Sequence, residues 1–384
     1  MKLPRLEIAD LFLMFGDQLR GLLPEHYKVM NAIKNCRTKV LGGHLLQCNS
    51  CSYQKKVYNS CRNRHCPKCM FLTKLKWIDK RKQDILPCSY FHVVFTLPYE
   101  LRKIILLNKE VCYNLLFKAS SEALKKVTRD SKTLNGEIGF IGVLHTWSQS
   151  LIDHPHIHYI VPGGVLRQQK WITSSEKYLL PVEALSEVFM GIFLKSLRKL
   201  FDDGELNLTG DIEYLSHYAN FQELLTTCSQ VDWVVYCKRP FAGPEQVINY
   251  LGSYTHRIAI SNYRLVGLEG DEVIFKIRDK NSPGKSKTMR LKGREFLRRF
   301  LLHVLPKGFM RIRHFGLLGN RLKKEKIEII RKLENIAVEL INNSDLVWQE
   351  LLKIAIGIDI NLCPSCKTGE LITVGEIKEM LNSA

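Results

Sequence analysis

The sequence predicts an α+β protein: an antiparallel-sheet domain with a small zinc-ribbon module before it and a helical region after it. Six of the twelve cysteines fall within residues 36–69, a density that indicates a metal-stapled module. Runs rich in β-branched and aromatic residues then alternate with turns, which is typical of strands. Helical periodicity dominates residues 318–360. We therefore divide the chain into residues 1–85, 86–317 and 318–384.

The net charge favours a polyanionic partner. The 57 Lys and Arg residues against 38 Asp and Glu residues give a formal charge of +19, for which nucleic acid is the first candidate. A hydrophobic content of 45% excludes a disordered chain. Glu7, Asp10 and Asp17 interrupt the apolar runs near the N-terminus, and no stretch approaches membrane-spanning length. We expect a soluble, cytoplasmic, nucleoid-associated protein with no membrane partner.

Residues 1–35 carry apolar side chains at helical spacing, with a break at Pro24. We predict two short helices there. Their apolar stripe is a packing surface and is assigned no chemistry.

Two Cys-x-x-Cys motifs define the module between residues 36 and 69. Cys48 and Cys51 form the first and Cys66 and Cys69 the second, with fourteen residues between them. This spacing lets four thiolates converge on one Zn²⁺, as in a zinc ribbon. A redox dithiol is excluded because the two motifs lie so close together. Such a module is too small to fold on an apolar core alone, so the metal supplies its folding energy.

Four further side chains offer a second site of two cysteines and two histidines: Cys36, His44, Cys61 and His65. The alternative is a single zinc ion, with both histidines ordinary surface residues. Spacing does not settle how the ligands pair across two sites, so we expect one or two structural Zn²⁺ ions. A third motif, Cys363-Pro-Ser-Cys366, has no second Cys-x-x-Cys near it in the sequence and is a partial zinc signature.

Basic residues surround the cysteine motifs and continue into a helical run. Their natural ligand is a phosphate backbone, although a solvated basic helix face would look similar. We expect DNA contacts from Arg62, Arg64, Lys68, Lys74, Lys76 and Arg257.

The predicted sheet contains a histidine pair. A strand over residues 88–98 is followed by a second over residues 138–149, and a short connection leads to a third with the sequence His154-Pro-His-Ile-His158. Alternate side chains of a strand share a face, so His156 and His158 lie side by side. Two such imidazoles are able to hold one divalent cation. The alternative is a half-buried strand whose histidines face solvent.

A third ligand is expected from the neighbouring strand. The second and third strands are most simply antiparallel neighbours, because their connection is short. His145 and Gln149 share a face of the second strand, so either is a candidate. Pro155 keeps His154 outside the regular strand. Neutral imidazoles leave the cation its charge and open positions, which favours a catalytic Mg²⁺ or Mn²⁺ over a closed structural zinc.

Two tyrosines supply candidate nucleophiles. Tyr250 and Tyr254 follow Pro244 on a predicted helix and are four residues apart, which places both hydroxyls on one face. The alternative is two packing tyrosines at helical spacing. Beside a divalent cation, a tyrosine can attack phosphorus in place of water and conserve the bond energy as a phosphotyrosine ester. A second tyrosine allows another strand to be cut while the first is held, which strand transfer requires.

To the rest of the chain we assign secondary structure but no catalytic or ligand-binding residue. We predict a strand over residues 231–238, two β runs over residues 257–266 and 272–279, and an amphipathic helix over residues 295–305.

Six ordered motifs are shared with a known family. They are Asn59-Ser-Cys-Arg-Asn-Arg-His-Cys-Pro-Lys-Cys69, Phe91-His-Val-Val-Phe-Thr-Leu-Pro98, Leu144-His-Thr-Trp147, His154-Pro-His-Ile-His158, Tyr250-Leu-Gly-Ser-Tyr-Thr-His-Arg257 and Ile312-Arg-His-Phe-Gly-Leu317. Through them the chain resembles the two-tyrosine rolling-circle transposases of the insertion-sequence ninety-one type. These belong to the HUH (His-hydrophobic-His) endonuclease superfamily. The resemblance covers residues 20–320, approximately.

The resemblance implies a nickase domain in which His156 and His158 lie on a central strand of an antiparallel sheet, with the nucleophilic helix packed beside it. It implies that Tyr250 and Tyr254 are the paired nucleophiles and that the cysteine-rich residues 36–69 are the zinc-binding segment. Related HUH enzymes carry a third ligand some seven residues before the first histidine, a position that falls on Gln149. This favours Gln149 over His145.

The predicted function is that of a DNA transposase. It is a metal-dependent tyrosine nickase and strand transferase that cuts single-stranded DNA at an element's end, becomes joined to the 5′ phosphate, and rejoins the strand at target DNA. A replication initiator or a relaxase with the same chemistry is the near alternative. A zinc-ribbon DNA-binding regulator without catalysis and a metal-dependent phosphodiesterase that uses water are alternatives from other classes. A covalent protein–DNA adduct would separate the tyrosine enzymes from the last two.

Overall fold

A computed structural model describes residues 6–86, 88–175, 179–238, 247, 250, 252, 258–279, 282, 284–334 and 347–380 of the chain. The helices are α1 (Ile8–Phe15), α2 (Pro24–Asn35), α3 (Met70–Lys82), α4 (Arg102–Leu107), α5 (Lys109–Asp130), α6 (Val182–Asp202), α7 (Tyr218–Gln230), α8 (Gly293–Leu302), α9 (Lys323–Leu333) and α10 (Trp348–Ile356). The strands are β1 (Gly43–Cys48), β2 (Gln54–Tyr58), β3 (Tyr90–Thr96), β4 (Gly139–Trp147), β5 (Asp153–Pro162), β6 (Gly164–Arg167), β7 (Lys170–Thr173), β8 (Val235–Lys238), β9 (Leu265–Glu269), β10 (Glu272–Arg278), β11 (Ser286–Lys292), β12 (Ile312–Gly316) and β13 (Leu371–Ile377). No helix within these residues is both long and apolar enough to cross a membrane.

Five strands form the central sheet, in the order β12-β4-β5-β3-β8. All four neighbouring pairs are antiparallel. The predicted α+β class and antiparallel sheet are therefore confirmed. β5, which carries the paired histidines, is the middle strand.

One face of this sheet packs on α5 and α6 and forms the main core. Ile157 and Tyr159 of β5 point into it and are fully buried. The Tyr159 hydroxyl lies 2.8 Å from the Ser120 hydroxyl of α5. Gly142 of β4 leaves room for the Tyr159 ring, because a Cβ there would lie 2.4 Å from its Cε1 atom. The ring therefore requires a glycine on the neighbouring strand.

The opposite face of the sheet is covered in part by α3. Tyr90 of β3 and Ile160 of β5 form a small apolar cluster with Val247, and Trp77 of α3 and Tyr250 pack against it. The side chains of this face therefore meet the helix that follows the second Cys-x-x-Cys motif.

A second core joins the N-terminal helices to a three-stranded sheet, β11-β10-β9. α8 packs on α1 and on two strands of that sheet, and the rings of Phe12 and Phe300 are 5.7 Å apart. The two predicted N-terminal helices are confirmed, and Pro24 is the first residue of α2, a position that proline tolerates because it needs no donor there. Cys36 and Cys66 are buried at the edge of this core.

The cysteine-rich module is built on the β1-β2 hairpin, and its third strand comes from the other end of the chain. β13 pairs with β1 in the order β13-β1-β2. The C-terminal region was predicted to be helical. It contains α9 and α10, but residues 371–377 form a strand of the N-terminal module.

Candidate active site and cysteine centres

The paired histidines of β5 lie on the sheet face opposite the main core. His158 is buried and His156 is half-buried, whereas Ile157 between them points into the core. The strand alternation predicted from the sequence therefore matches the geometry.

A third imidazole completes a group with this pair. His145 of β4 lies directly opposite His156 in the antiparallel register. Each of His145, His156 and His158 offers one ring nitrogen, and these nitrogens all lie within 4.8 Å of one another. Such a group is able to hold one metal ion.

Gln149, which the resemblance favoured as third ligand, lies in a turn beyond the sheet. The register of β4 shifts between His145 and Trp147, where the strand ends. The chain then reverses, and the Ser148 amide donates to the Ile152 carbonyl at 2.9 Å. We expected Gln149 to share the face of the histidine pair because we assumed that the strand continues to residue 149. The strand ends at Trp147 instead, and of the two candidates it is His145 that lies beside the pair.

The ring of His156 has its tautomer set by the backbone. Its Nδ1 atom lies 2.6 Å from the His154 carbonyl oxygen. A carbonyl only accepts hydrogen bonds, so Nδ1 carries the proton and Nε2 is the unprotonated nitrogen. A metal-binding histidine commonly holds its other nitrogen in this way.

A fourth histidine links this group to a tyrosine. His92 of β3 has its Nε2 atom 2.8 Å from Nδ1 of His158, and the planes of the two rings are nearly parallel, with 9° between them. The Tyr250 hydroxyl lies 2.8 Å from Nδ1 of His92. Burial lowers the pKa of His92 to about 4, so this ring is neutral at pH 7. Tyr250, His92 and His158 form one continuous hydrogen-bonded line.

The Tyr250 segment, meaning Val247, Tyr250 and Gly252, has helical backbone at these residues and packs against α3. Val247 is buried. A Cβ at Gly252 would lie 2.2 Å from the Cδ1 atom of Ile78, so the glycine permits close approach to α3. Tyr254 and Arg257, the second nucleophile and one DNA contact of the sequence analysis, lie outside the described residues.

The first cysteine group lies at the base of the β1-β2 hairpin. It consists of Cys36, Cys61, Cys66 and Cys69, whose sulfur atoms all lie within 4.8 Å of one another. Two of the separations are 3.4 Å, between Cys36 and Cys69, and 3.5 Å, between Cys61 and Cys69. Four sulfurs around one Zn²⁺ at about 2.3 Å would be roughly 3.8 Å apart.

The second cysteine group lies at the tip of the same hairpin. Cys48 and Cys51 meet Cys363 and Cys366, again within 4.8 Å of one another. Separations of 3.7 Å join Cys48 to Cys366 and Cys51 to Cys363. All four cysteines are free thiols.

This pairing corrects the one inferred from spacing, in which Cys48, Cys51, Cys66 and Cys69 share a metal. The first motif is at the hairpin tip and the second at its base. The six residues of β1 separate them by roughly 15–20 Å at about 3.3 Å per residue. Proximity in sequence therefore did not bring the two motifs together.

Neither histidine proposed for a second zinc site belongs to a cysteine group. His44 is exposed on β1, where it pairs with Val57 and Glu376. His65 faces a small cavity that His303 also lines, and burial lowers the pKa of His65 to about 3. The prediction that these two histidines complete a second zinc site is therefore wrong: the second site has Cys363 and Cys366 in their place.

The predicted DNA contacts differ in availability. Arg64 donates to the carbonyl oxygens of Phe309 at 2.6 Å and Pro306 at 3.2 Å, and Lys68 lies 2.5 Å from the carboxylate of Glu7. These two cations are held by the protein itself. Arg62 and Lys76 are exposed. Lys74, whose pKa is lowered by burial, lines a cleft of about 230 Å³ together with Phe71, Gly252 and Arg264.

Two sets of residues were missed as site residues by reasoning from the sequence. His92 lies in the strand motif shared with the family, and its one available signal was that it is a polar residue within an otherwise apolar strand. Cys363 and Cys366 were noticed as a partial zinc signature without a partner. Their partner motif is more than three hundred residues away in the chain, so no spacing rule points to it.

Comparison with known families identifies two regions of the chain. A family model described as "Putative transposase" matches residues 139–326, which include β4, β5 and the Tyr250 segment. A second family model, described as "Transposase zinc-binding domain", matches residues 9–97.

Two relatives match most of the chain. A protein of Sinorhizobium fredii named "Putative transposase y4qJ" is 42% identical over 376 residues, which cover 96% of this chain and 94% of the relative. The "Transposase for insertion sequence element IS801" of Pseudomonas savastanoi pv. phaseolicola is 26% identical over 308 residues, 79% of this chain and 72% of the relative. No solved structure matches the chain.

Proposed function

This chain belongs to the transposases of the insertion-sequence ninety-one type with an N-terminal zinc-binding domain, and we propose that it nicks and rejoins single-stranded DNA through a 5′-phosphotyrosine intermediate. As a transposase it acts on DNA. The single observation that carries the tyrosine mechanism is the line from the Tyr250 hydroxyl through His92 to the histidine group. It brings a candidate nucleophile to a candidate metal site.

The donor set suits a divalent cation. His145, His156 and His158 would hold it, and Nε2 of His156 is the nitrogen that would bind, because Nδ1 carries the proton. Of Mg²⁺ and Mn²⁺, three imidazoles favour Mn²⁺, because Mg²⁺ prefers oxygen ligands. When bound, such a cation supplies positive charge to the scissile phosphate.

The hydrogen-bonded line then has a defined direction. If His158 turns Nε2 toward the cation, its Nδ1 carries the proton and donates to Nε2 of His92. Nδ1 of His92 must then carry that ring's proton and donate to the Tyr250 oxygen. A donated hydrogen bond favours the phenolate form, which is the nucleophile. His92 is therefore a positioning residue that orients both the ligand and the nucleophile.

The proposed reaction is an exchange of ester bonds. The Tyr250 oxygen forms a bond to phosphorus, the bond from phosphorus to the 3′ oxygen breaks, and the phenol proton passes through solvent to the freed 3′ oxygen. The 5′ phosphate stays on the tyrosine. Rejoining is the reverse displacement by a 3′ hydroxyl of target DNA. Tyr254 would be the second nucleophile, for the other strand.

The cleft beside the Tyr250 segment supports a single-stranded substrate. Lys74 is available there for a phosphate, and the exposed ring of Phe71 for a base. Stacking on an aromatic side chain is worth about 1–3 kcal/mol per base and requires an unpaired strand.

The proposal is tested by capture of the covalent adduct. Single-stranded oligonucleotides that tile both ends of the encoding element are labelled and incubated with protein and Mn²⁺, and the adduct is separated on denaturing gels and mapped by mass spectrometry. Tyr250→Phe and Tyr254→Phe should each keep an adduct but lose complete strand transfer, and the double variant should form no adduct. Tyr236→Phe is the matched control. This tyrosine is also near His92, with 6.3 Å between the ring centroids, but it belongs to β8 and not to the Tyr250 segment, so the variant should keep full activity.

Three outcomes would contradict the proposal. An adduct that persists in the double variant, or that maps outside residues 250–254, would mean that the nucleophiles are misidentified. Cleavage that leaves a free 5′ phosphate without an adduct would indicate a phosphodiesterase that uses water. Binding without cleavage of any tiled strand would indicate a DNA-binding regulator.

A further inference from the structure

The N-terminal module and the C-terminal part of the chain meet at the second cysteine group. Cys48 and Cys51 belong to the N-terminal module, and Cys363 and Cys366 to the C-terminal segment, meaning residues 347–380. The zinc-binding family model ends at residue 97. It therefore contains only half of these four thiols.

The thiols have the geometry of a tetrahedral metal site. Sulfur separations of 3.7 Å are close to the roughly 3.8 Å expected around one Zn²⁺, and far longer than the about 2.0 Å of a disulfide. The backbone amides of Ser50 and Gly369 each lie 3.3 Å from a sulfur, that of Cys48 and that of Cys366 respectively. Donated hydrogen bonds of this kind favour the thiolate, which is the form that binds metal.

The C-terminal segment buries little apolar surface. Within residues 347–380 only Cys363 and Gly369 are buried, and no residue of α10 is buried. A segment that buries so little apolar surface gains little from the hydrophobic effect. Gly369 is itself required by the cysteine group, because a Cβ there would lie 2.5 Å from the Cys48 sulfur. The buried part of this segment is thus the thiol site itself.

The backbone around the thiols is joined in register. β13 extends the hairpin through β1, and Asn49 pairs with Glu370: its amide donates to the Glu370 carbonyl at 3.0 Å, and its side-chain oxygen accepts from the Glu370 amide at 2.9 Å. α10 packs on α3, the helix against which the Tyr250 segment lies. The C-terminal segment therefore contacts both the module and the helix that leads to the candidate active site.

We propose that Cys48, Cys51, Cys363 and Cys366 bind one structural Zn²⁺ that fastens the C-terminal segment to the N-terminal module. Cys36, Cys61, Cys66 and Cys69 hold the other zinc. The module is complete only when both ends of the chain are present. We call this site the zinc clasp. Its tests do not depend on the nicking chemistry, because they measure metal content and the protection of thiols.

The first test counts zinc by elemental analysis in the purified full chain, with His156→Ala and His158→Ala in every protein compared so that the histidine group holds no zinc. The wild-type protein should hold two Zn²⁺ ions, the Cys363→Ser/Cys366→Ser variant one, and a chain that ends at residue 346 also one. Cys237→Ser is the matched control, because Cys237 is half-buried and outside both groups; it should keep two. A wild-type protein with one zinc, or a double variant with two, would overturn the proposal.

A second test on the wild-type protein alone decides the matter if the double variant loses both metals by misfolding. The zinc-loaded chain is treated with N-ethylmaleimide, and each cysteine is followed by mass spectrometry. Cys366 is half-buried, as Cys237 is, yet it should react at least tenfold more slowly than Cys237 and become reactive with Cys48, Cys51 and Cys363 when a chelator removes the metal. Reaction of Cys363 and Cys366 at the rate of Cys237 while both zinc ions stay bound would refute the clasp.

Discussion

His92 makes two hydrogen bonds with different roles: one reaches the candidate nucleophile Tyr250 and the other the metal ligand His158. His92→Ala removes the hydrogen bond to the Tyr250 hydroxyl and the one to His158, each 2.8 Å long. We expect two distinct losses from this variant. The nicking rate at saturating Mn²⁺ falls because the phenolate loses a donor, and the apparent affinity for Mn²⁺ falls because His158 loses the partner that orients it.

The magnitudes follow from the two bonds. A hydrogen bond to a charged group contributes about 1.5–3 kcal/mol, and about 1.4 kcal/mol corresponds to a factor of ten in rate. Nicking at saturating Mn²⁺ should therefore slow by about 10- to 150-fold. Loss of the partner of a metal-binding histidine typically lowers metal affinity by about 10- to 100-fold. The Mn²⁺ concentration for half-maximal rate should rise by a similar factor.

Two amide variants test the contacts one at a time. His92→Asn places an N–H donor near the position of Nδ1, toward Tyr250, whereas His92→Gln places an amide oxygen near the position of Nε2, toward His158. His92→Asn should recover most of the rate at saturating Mn²⁺ but still require more Mn²⁺. His92→Gln should show a near-normal Mn²⁺ dependence with a low maximal rate. Single-turnover nicking of a labelled oligonucleotide across a Mn²⁺ titration measures both quantities. All His92 variants are compared in a Tyr254→Phe background, where Tyr250 is the remaining nucleophile, and thermal unfolding controls for the buried position.

The two amide variants should therefore recover opposite properties, His92→Asn the maximal rate and His92→Gln the Mn²⁺ dependence. If His92→Asn nicks no faster than His92→Ala at saturating Mn²⁺ while both stay folded, His92 does not act as a donor to the tyrosine. If His92→Ala nicks at the wild-type rate, the hydrogen-bonded line has no part in the reaction. Either result would remove the link between Tyr250 and the histidine group.

Two further predictions concern the third metal ligand and a buried histidine. His145→Ala should lower Mn²⁺-dependent nicking by at least tenfold with DNA binding retained, and Gln149→Ala should leave nicking near normal, because it is His145 that lies beside the pair; the reverse pattern in the same Mn²⁺ titration would restore the glutamine as ligand. Burial lowers the pKa of His303 to about 3, below its ordinary value of 6.5. Below pH 6.5 His303 therefore binds a proton in the unfolded chain but stays neutral in the folded chain, so the free energy of unfolding falls as the pH drops. Between pH 7 and pH 5.5 this costs about 1 kcal/mol. His303→Gln keeps a donor near Nε2, which lies 3.1 Å from the Leu151 carbonyl, but does not titrate, so urea unfolding should show a smaller loss of stability over that interval; an equal loss in both proteins would show that this residue does not titrate on unfolding.

Local patterns in the sequence determined much of the fold. The alternation of His156, Ile157 and His158 requires only the geometry of one strand, and the structure has the same alternation. The break at Pro24, the density of cysteines and the antiparallel pairing of β4 with β5 also depend on near neighbours or short connections. Such features follow from the sequence because backbone sterics and hydrophobic periodicity act over a few residues.

Contacts between distant segments were decided only by the tertiary structure. Cys51 meets Cys363 across 312 positions, and Tyr250 meets His92 across 158; no periodicity records such pairs. The length of the β1-β2 hairpin moved Cys48 away from Cys66, although the motif spacing suited a shared metal. A register shift at the end of β4 placed Gln149 in a turn and left His145 beside the pair. Strand register, hairpin length and chain ends that meet depend on how whole elements pack, and that packing determined which of the candidate ligands lie together.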